Sequence, residues 1–153
     1  MNTGNDQPPA APPPIRVLIV DDHVAMREGL CAMIENQAEM TVVAEAADGQ
    51  EAIDLHQQYR PDITLMDLRL PVVGGVDAIK KIRTESPETR IIVVTTFDDD
   101  DVLSGAFEVG VEGYLLKDML RKELLPAIRT VHGGQRYIPT TIATRLSGRS
   151  SKP

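Results

Sequence analysis

Residues 62–71 have the sequence DITLMDLRLP, and this stretch decides the fold. The largely apolar run from Ile63 to Met66 has the length of a strand, and turn-forming residues bound it on both sides. It therefore predicts a buried β-strand over residues 62–67. Asp67 then stands at the C-terminal end of that strand, where a lone acid is most often a cap or turn residue. The other segments of the chain decide whether it has a further role.

Strand-like and helix-like segments alternate along the chain on both sides of this stretch. Runs rich in β-branched and apolar residues predict four further strands, at 15–21, 41–47, 90–95 and 112–117. Apolar residues at helical spacing predict five helices, at 23–36, 48–59, 76–82, 100–109 and 119–132. Parallel strands need crossover connections, with helices on both faces of the sheet. The alternation thus predicts an α/β fold: a doubly wound, flavodoxin-like parallel sheet of five strands in the order 2-1-3-4-5.

The composition suits one globular domain. The chain has 153 residues, of which 42% are hydrophobic and 25% charged. No window holds the roughly 18 uninterrupted apolar residues that a membrane helix requires, and the proline-rich residues 1–14 lack the order of a signal peptide. The single cysteine, Cys31, excludes an internal disulfide and any multi-cysteine metal site. We therefore expect a cytoplasmic protein without a membrane segment.

Charge is unevenly distributed along the chain. Residues 121–153 carry seven Lys or Arg residues and one acid, Glu123, whereas residues 1–120 carry nine basic and 22 acidic residues. The formal net charge of -7 argues against nucleic-acid binding by this segment alone. An acidic body followed by a basic tail suggests two roles along one chain, although a solvated surface would also account for the tail.

Polar side chains follow the predicted strands at one edge of the predicted sheet. Asp21 and Asp22 follow the first strand, Asp67 the third, Thr95 the fourth and Lys117 the fifth. Ligands of doubly wound sheets bind at these carboxyl ends, next to the point where the strand order reverses. Because neighbouring strands lie about 4.8 Å apart, we expect the three carboxylates to converge at this edge.

Three converging carboxylates repel one another unless a cation is bound among them. Mg²⁺ suits such a site because it is held by a few carboxylates together with waters and phosphate oxygens. Lys117 adds a positive charge for an anion, and the hydroxyl of Thr95, or of its neighbour Thr96, can donate to a phosphoryl oxygen. The set predicts a site for Mg²⁺ and a phosphoryl group. Asp67 is the predicted nucleophile because it follows a rigid strand and precedes a loop.

Two further assignments concern residues beside the acid pair. Asp22 lies directly before the first predicted helix, where its side chain could serve as the N-cap. His23 is the next residue, but no second histidine lies near it in the sequence, and we interpret it as a residue outside the metal site.

Four motifs carry a resemblance to a known family. They are VDDH at 20–23, MDLRLPVVGG at 66–75, VVTTF at 93–97 and GYLLKD at 113–118. In order and spacing they resemble the receiver domain of bacterial two-component response regulators, over about residues 15 to 132. The stretches TTFDDDD, GYLLKDM and GGQRYIP further resemble the NarL/FixJ, or LuxR-type, subfamily. In that family the receiver is a phosphoacceptor signalling domain rather than an enzyme, although it assists its own phosphorylation and dephosphorylation.

The resemblance implies a role for each residue at the sheet edge. Asp67 would be the phosphoacceptor, supplied by a sensor histidine kinase. Asp21 and Asp22 would bind Mg²⁺, together with the carboxylate of Asp67 and the backbone carbonyl of Arg69. Lys117 would bind the phosphoryl group.

The resemblance also implies a switch and an output. Thr95 would be the switch hydroxyl, and Tyr114 the aromatic residue that rotates with it. Phosphorylation would then change dimerisation, with a homodimer in the activated state, and would act on transcription in most relatives.

Three segments are predicted along the chain. Residues 1–14 are expected to be a disordered, proline-rich lead-in, and residues 15–134 the receiver domain. Residues 135–153 are expected to form a linker helix, starting at Pro139 to Thr141 and passing through Ile142 and Leu146, followed by a tail. In the NarL/FixJ subfamily such a linker leads to a helix-turn-helix DNA-binding domain, which is not in these residues. We therefore expect a truncated chain that contacts DNA only through that missing domain.

Two other functions are compatible with a sheet of this type. A Mg²⁺-dependent phosphohydrolase would use an aspartyl nucleophile and usually a second acid two positions later, but that position is Arg69. A flavodoxin-like cofactor carrier would offer Ser, Thr and Gly amides in its first loop, whereas Asp21 and Asp22 would repel a phosphate. Both alternatives are less consistent with the sequence than a receiver domain.

Overall fold

The structure is a computed structural model that describes residues 11–96 and 100–150, with side chains up to Leu146. Most of the predicted disordered lead-in, residues 1–10, lies outside the described residues. The strands are β1 Ile15–Val20, β2 Met40–Ala46, β3 Ile63–Asp67, β4 Arg90–Thr95 and β5 Gly113–Leu116. The helices are α1 Val24–Glu35, α2 Gly49–Tyr59, α3 Gly75–Glu85, α4 Asp100–Val109, α5 Leu120–His132 and α6 Thr140–Ser150. A short 3₁₀ helix, Lys117–Met119, joins β5 to α5.

The five strands form one sheet in the order β2-β1-β3-β4-β5. Every pairing between neighbours is parallel. The predicted fold class and strand order are therefore confirmed. The bounds of the strands lie within one residue of the predicted ones.

The strands are mostly apolar because both faces of the sheet are covered. One buried cluster includes Leu18, Met66 and Val93, whose side chains alternate with those of the other face. The second cluster includes Ile19 and Leu65 and packs against α1 and α5. All five residues of β3 are buried, as expected for the central strand of a doubly wound sheet.

The register of the sheet determines which polar residues meet at its carboxyl edge. Val20 pairs with Met66, so the residues that follow them, Asp21 and Asp67, lie side by side. On the other side of β3, Asp67 pairs with Val94 of β4. The backbone register alone thus places the polar residues at the ends of β1, β3 and β4 next to one another.

The start of α1 differs from the prediction. His23, not Asp22, is the N-cap residue, and its side chain makes no capping hydrogen bond. The carboxylate of Asp21 instead accepts a hydrogen bond from the backbone N–H of His23 at 2.8 Å. The predicted N-cap role of Asp22 is therefore wrong, because Asp21 already turns the chain out of β1 and leaves the side chain of Asp22 exposed.

The predicted C-terminal helix is present and extends beyond its predicted end. The sequence predicted a tail from residue 147 onward, whereas α6 continues to Ser150. The segment before α6 runs beside β5, where Tyr137 forms an isolated parallel bridge with Gly113. Ile142 and Leu146 of α6 are buried. The segment is thus packed against the domain rather than extended from it.

Candidate functional site

Four side chains with potential metal-ligand atoms meet at the carboxyl edge of the sheet. Asp21, Asp22, His23 and Asp67 each offer one ligand atom, and these atoms all lie within 4.8 Å of one another. Asp21 and Asp67 are buried, with 1% and 4% of their surface exposed, while Asp22 and His23 face the solvent. The structure therefore brings together the three carboxylates that the sequence predicted.

Lys117 joins the two buried carboxylates. Its ammonium Nζ donates to Oδ2 of Asp67 at 3.0 Å and lies 3.2 Å from Oδ2 of Asp21. Lys117 can reach both acids because β5 ends at Leu116, so its side chain leaves the same edge of the sheet. One cation is thus shared between two buried anions, and the excess negative charge favours a second cation.

Burial and charge shift the ionisation of this pair. Burial raises the pKa of Asp67 above its ordinary value; the negative charge of Asp21 adds to this rise, and the hydrogen bond from Lys117 opposes it. Burial alone would lower the pKa of Lys117, but the hydrogen bond and the charges of Asp67 and Asp21 raise it overall. Lys117 therefore stays protonated, and the carboxylate of Asp67 beside it is poorly solvated. Poor solvation of this carboxylate favours its attack on an electrophile.

The loop after β3 fixes the position of Asp67. The backbone N–H of Arg69 donates to Oδ1 of Asp67 at 3.2 Å, and the N–H of Gly75 donates to the carbonyl of Leu68 at 3.0 Å. A Cβ atom on Gly75 would lie 2.5 Å from the carbonyl oxygen of Asp67, so only glycine fits there. The loop therefore holds the carboxylate through the N–H of Arg69 and packs against the backbone of Asp67 at Gly75.

Thr95 and Tyr114 lie on the neighbouring strands β4 and β5. Thr95 is buried, and its hydroxyl donates to the carbonyl oxygen of Thr96 at 3.4 Å, whereas Thr96 is exposed. Tyr114 is 1% exposed, and burial raises the pKa of its phenol to about 12. The contacts of the site thus join Asp21, Asp67 and Lys117 directly, with Thr95 at the adjoining strand end and Tyr114 deeper in the sheet.

The sequence analysis missed Arg27 as a neighbour of the site. Its guanidinium Nη1 donates to the backbone carbonyl of Asp21 at 2.6 Å, and its Nε lies 3.4 Å from the carboxylate of Glu45. This contact ties α1 to the ends of β1 and β2. The only signal in the sequence is that Arg27 lies one helical turn after His23, and that spacing alone does not predict the contact.

A protein-family comparison matches this arrangement. The model of the response regulator receiver domain matches residues 17–129, which contain β2 to β5, most of β1 and the three carboxylates Asp21, Asp22 and Asp67. The chain belongs to the response regulator receiver family. As a receiver domain it is a component of two-component signal transduction, and the predicted family is confirmed.

Curated relatives share the receiver domain but are longer. The chain is 38% identical over 132 residues to the transcriptional regulatory protein LnrK of Bacillus subtilis (strain 168), covering 86% of this chain and 60% of LnrK. It is 41% identical over 133 residues to the oxygen regulatory protein NreC of Staphylococcus aureus (strain JH9), covering 86% of this chain and 61% of NreC. The receiver domain therefore spans about three fifths of these relatives.

Solved structures agree with the fold. A two-component response regulator of the LuxR family from Aurantimonas sp. SI85-9A1 superposes with a TM-score of 0.83 and 37% identity, covering 91% of this chain and 99% of that one. This likeness supports the predicted placement in the LuxR-type subfamily. No helix among the described residues is both long and apolar enough to cross a membrane.

Proposed function

We propose that this receiver domain is a phosphorylation-controlled switch in which Asp67 accepts a phosphoryl group from the phosphohistidine of a sensor histidine kinase. One observation carries the proposal: Asp67 is buried beside Asp21 and hydrogen-bonded to Lys117 at 3.0 Å. In the transfer, a carboxylate oxygen of Asp67 forms a bond to phosphorus as the phosphorus–nitrogen bond of the donor breaks. The product is an acyl phosphate, a known covalent state of aspartate.

Mg²⁺ fits the donor atoms of this edge. The carboxylates of Asp21, Asp22 and Asp67 provide the hard oxygen ligands that Mg²⁺ prefers, and the backbone carbonyl of Arg69 would complete the protein ligands. His23 lies within the same cluster, but an imidazole nitrogen suits transition metals better than Mg²⁺. When bound, Mg²⁺ would neutralise negative charge and orient the oxygens of the incoming phosphoryl group.

Lys117 and Thr95 are the proposed phosphoryl-binding residues. Phosphorylation turns the carboxylate of Asp67 into a group with additional anionic oxygens, and the ammonium of Lys117 already lies next to it. The hydroxyl of Thr95 makes only a long hydrogen bond, 3.4 Å, to Thr96 and can exchange it for a phosphoryl oxygen. Tyr114 would respond to that movement as the switch aromatic. Later attack of water on the phosphorus would regenerate Asp67 and release phosphate, so that the domain resets itself.

The proposed output is control of transcription by a longer protein. We propose that residues 15–134 form the receiver unit and that residues 135–153 connect it to a helix-turn-helix domain, through which DNA would be bound. The relatives support this because LnrK is a transcriptional regulatory protein and extends well beyond the matched region. We further propose that phosphorylation favours a homodimer and that the protein acts in the cytoplasm, where its kinase would present the phosphohistidine.

The acceptor can be tested by intact mass spectrometry. Incubation with Mg²⁺ and acetyl phosphate should add one phosphoryl group, about 80 Da, to the wild-type chain. Asp67→Asn should gain no mass. Asp77→Asn is the matched control because Asp77 is an exposed acid in the first turn of α3 that does not belong to the carboxylate cluster, and this variant should gain mass like wild type.

Each outcome has a distinct meaning. Labelling of Asp67→Asn to the wild-type extent would show that another residue is the acceptor. Unchanged labelling of the wild type in excess EDTA would show that Mg²⁺ is not required. No labelling of wild type by a small donor or by a phosphorylated kinase domain would refute phosphotransfer and leave binding as the function of the domain.

A further inference from the structure

Residues 137–146 form a strap across the outer edge of the sheet, beside β5. The carbonyl of Tyr137 accepts a hydrogen bond from the N–H of Tyr114 at 2.9 Å, and the N–H of Tyr137 donates to the carbonyl of Glu112 at 3.0 Å. The phenol of Tyr137 donates to the carboxylate of Glu123 on α5 at 2.7 Å. The first residue of this segment, Tyr137, is therefore attached to the domain through its backbone and its side chain.

The α6 part of the strap is packed by one apolar face. Ile142 is 1% exposed and Leu146 is 8% exposed, although Ala143 and Thr144 between them face the solvent. The two buried residues, four positions apart on one face of the helix, belong to the same apolar cluster as Tyr114. The helix therefore closes the outer side of the cluster that contains the proposed switch aromatic.

The strap also contacts the beginning of α4. Arg145 forms an ion pair with Asp100, the first residue of α4, and Leu103 and Ala106 of α4 belong to the same apolar cluster as Ile142. Asp100 follows Thr95, the end of β4, by only five positions in the chain. A displacement of Thr95 toward a phosphoryl group would thus act on a helix whose first turn is held by α6.

We propose that the docked strap is an intramolecular brake on the switch: it stabilises the unphosphorylated arrangement, and a phosphoryl group on Asp67 releases it. This inference rests on the proposed function of Asp67. The direction follows from contacts that occur together in one arrangement: Ile142 is buried and Arg145 is paired while the hydroxyl of Thr95 donates to the carbonyl oxygen of Thr96. A shift of α4 relative to α6 would weaken the first two of these contacts, because Arg145 pairs with Asp100 of α4 and Ile142 shares an apolar cluster with Leu103 and Ala106 of α4. Coupling of this kind is reciprocal, so undocking the strap must also favour phosphoryl binding.

The reciprocal effect can be measured with beryllofluoride, which mimics a phosphoryl group on aspartate, in the presence of Mg²⁺. Isothermal titration of the full chain should show Ile142→Asp binding beryllofluoride at least about fivefold more tightly than wild type, the lower end of ordinary coupling factors. Ala143→Asp is the matched control, since it adds the same charge on the exposed face of α6 and should bind within about twofold of wild type. Arg145→Ala, which leaves the apolar face intact, should tighten binding by a smaller factor.

A second measurement uses the unaltered chain. Deuterium exchange of the amides of 137–146 should become faster when beryllofluoride and Mg²⁺ are added to wild type, and should not change in Asp67→Asn. Equal affinity of Ile142→Asp and wild type, together with unchanged exchange, would overturn the coupling. Weaker binding by Ile142→Asp, or slower exchange with beryllofluoride, would show that the strap stabilises the activated state instead. Failure of wild type to bind beryllofluoride at all would count against the proposed function of Asp67 and is distinguishable from either result.

Discussion

Replacement of Lys117 by methionine tests how charge is balanced in the site. The substitution keeps the length and much of the volume of the side chain but removes the ammonium that contacts Asp67 at 3.0 Å and Asp21 at 3.2 Å. Without a metal, two buried carboxylates then face each other with no cation between them. We expect Lys117→Met to destabilise the metal-free domain.

The expected magnitude follows from the burial of the three groups. Their side chains are 17% exposed in Lys117, 1% in Asp21 and 5% in Asp67. Removing one partner of a buried ion pair usually costs about 3–5 kcal/mol, and because water reaches Lys117 we expect a loss of about 3 kcal/mol. With a slope of about 2 kcal/mol per M, the midpoint of urea unfolding should fall by about 1.5 M.

Unfolding in urea, followed by far-UV circular dichroism in EDTA, measures this loss. Adding Asp67→Asn to Lys117→Met removes one of the two carboxylates and should restore about half of the lost stability or more, since the two positions are in contact. Mg²⁺ at about 100 times its dissociation constant should restore about 2.7 kcal/mol to the single variant. A single variant within about 0.5 kcal/mol of wild type, or a double variant no more stable than the single one, would refute this account of the site.

The remaining predictions concern the backbone and one buried histidine, and urea unfolding measures each of them. Gly49→Ala should destabilise the domain by about 3 kcal/mol or more, because its Cβ would lie 1.9 Å from a backbone oxygen of the β3–α3 loop. Gly29→Ala is its matched control: nothing lies within 4 Å of the added Cβ, so this helical substitution should stabilise by about 0.5–1 kcal/mol. Equal effects of the two substitutions would contradict the close approach at Gly49. Val72 has a φ of 68° and is 81% exposed, so Val72→Gly should stabilise by up to about 1 kcal/mol; a loss would mean that its side chain makes a stabilising contact. Burial, and to a smaller extent the charge of Arg60, lower the pKa of His56 in the folded domain below 6.5. As the pH falls, His56 is therefore protonated in the unfolded chain at a higher pH than in the folded domain. The free energy of unfolding should therefore fall as the pH drops below about 6.5, and a curve for His56→Gln with the same slope would exclude this contribution.

The carboxylate site could be predicted because it follows from where strands end. Asp21 and Asp67 come directly after buried β-branched and apolar runs, and the parallel register places such residues at the same edge. Lys117 follows the last strand in the same way. These positions depend on the backbone alone, so the prediction needed no knowledge of side-chain packing.

Contacts that depend on which hydrogen-bond partner a side chain takes could not be predicted in this way. His23 rather than Asp22 stands at the N-cap position of α1, and the carboxylate of Asp21 accepts a hydrogen bond from the N–H of His23. The hydrogen bond from Arg27 to the carbonyl of Asp21 is likewise one of several that a long side chain in the first turn could make. In both cases the sequence defines the candidates, and three-dimensional packing selects among them.

The position of α6 shows why a linker could be predicted as a helix but not as part of the domain. The predicted linker helix has an apolar stripe of two residues, Ile142 and Leu146. Such a narrow stripe predicts that one face of the helix is buried, but it does not predict which part of the protein covers that face. The basic charge of residues 121–153 suggested a second role along the chain, yet Arg145 pairs with Asp100 of the acidic body. Charge asymmetry along a chain is therefore as consistent with a segment that folds back as with one that leads away. In this receiver the segment folds back onto the apolar cluster that contains Tyr114, and the proposed coupling of Asp67 to α6 needs only contacts within the domain.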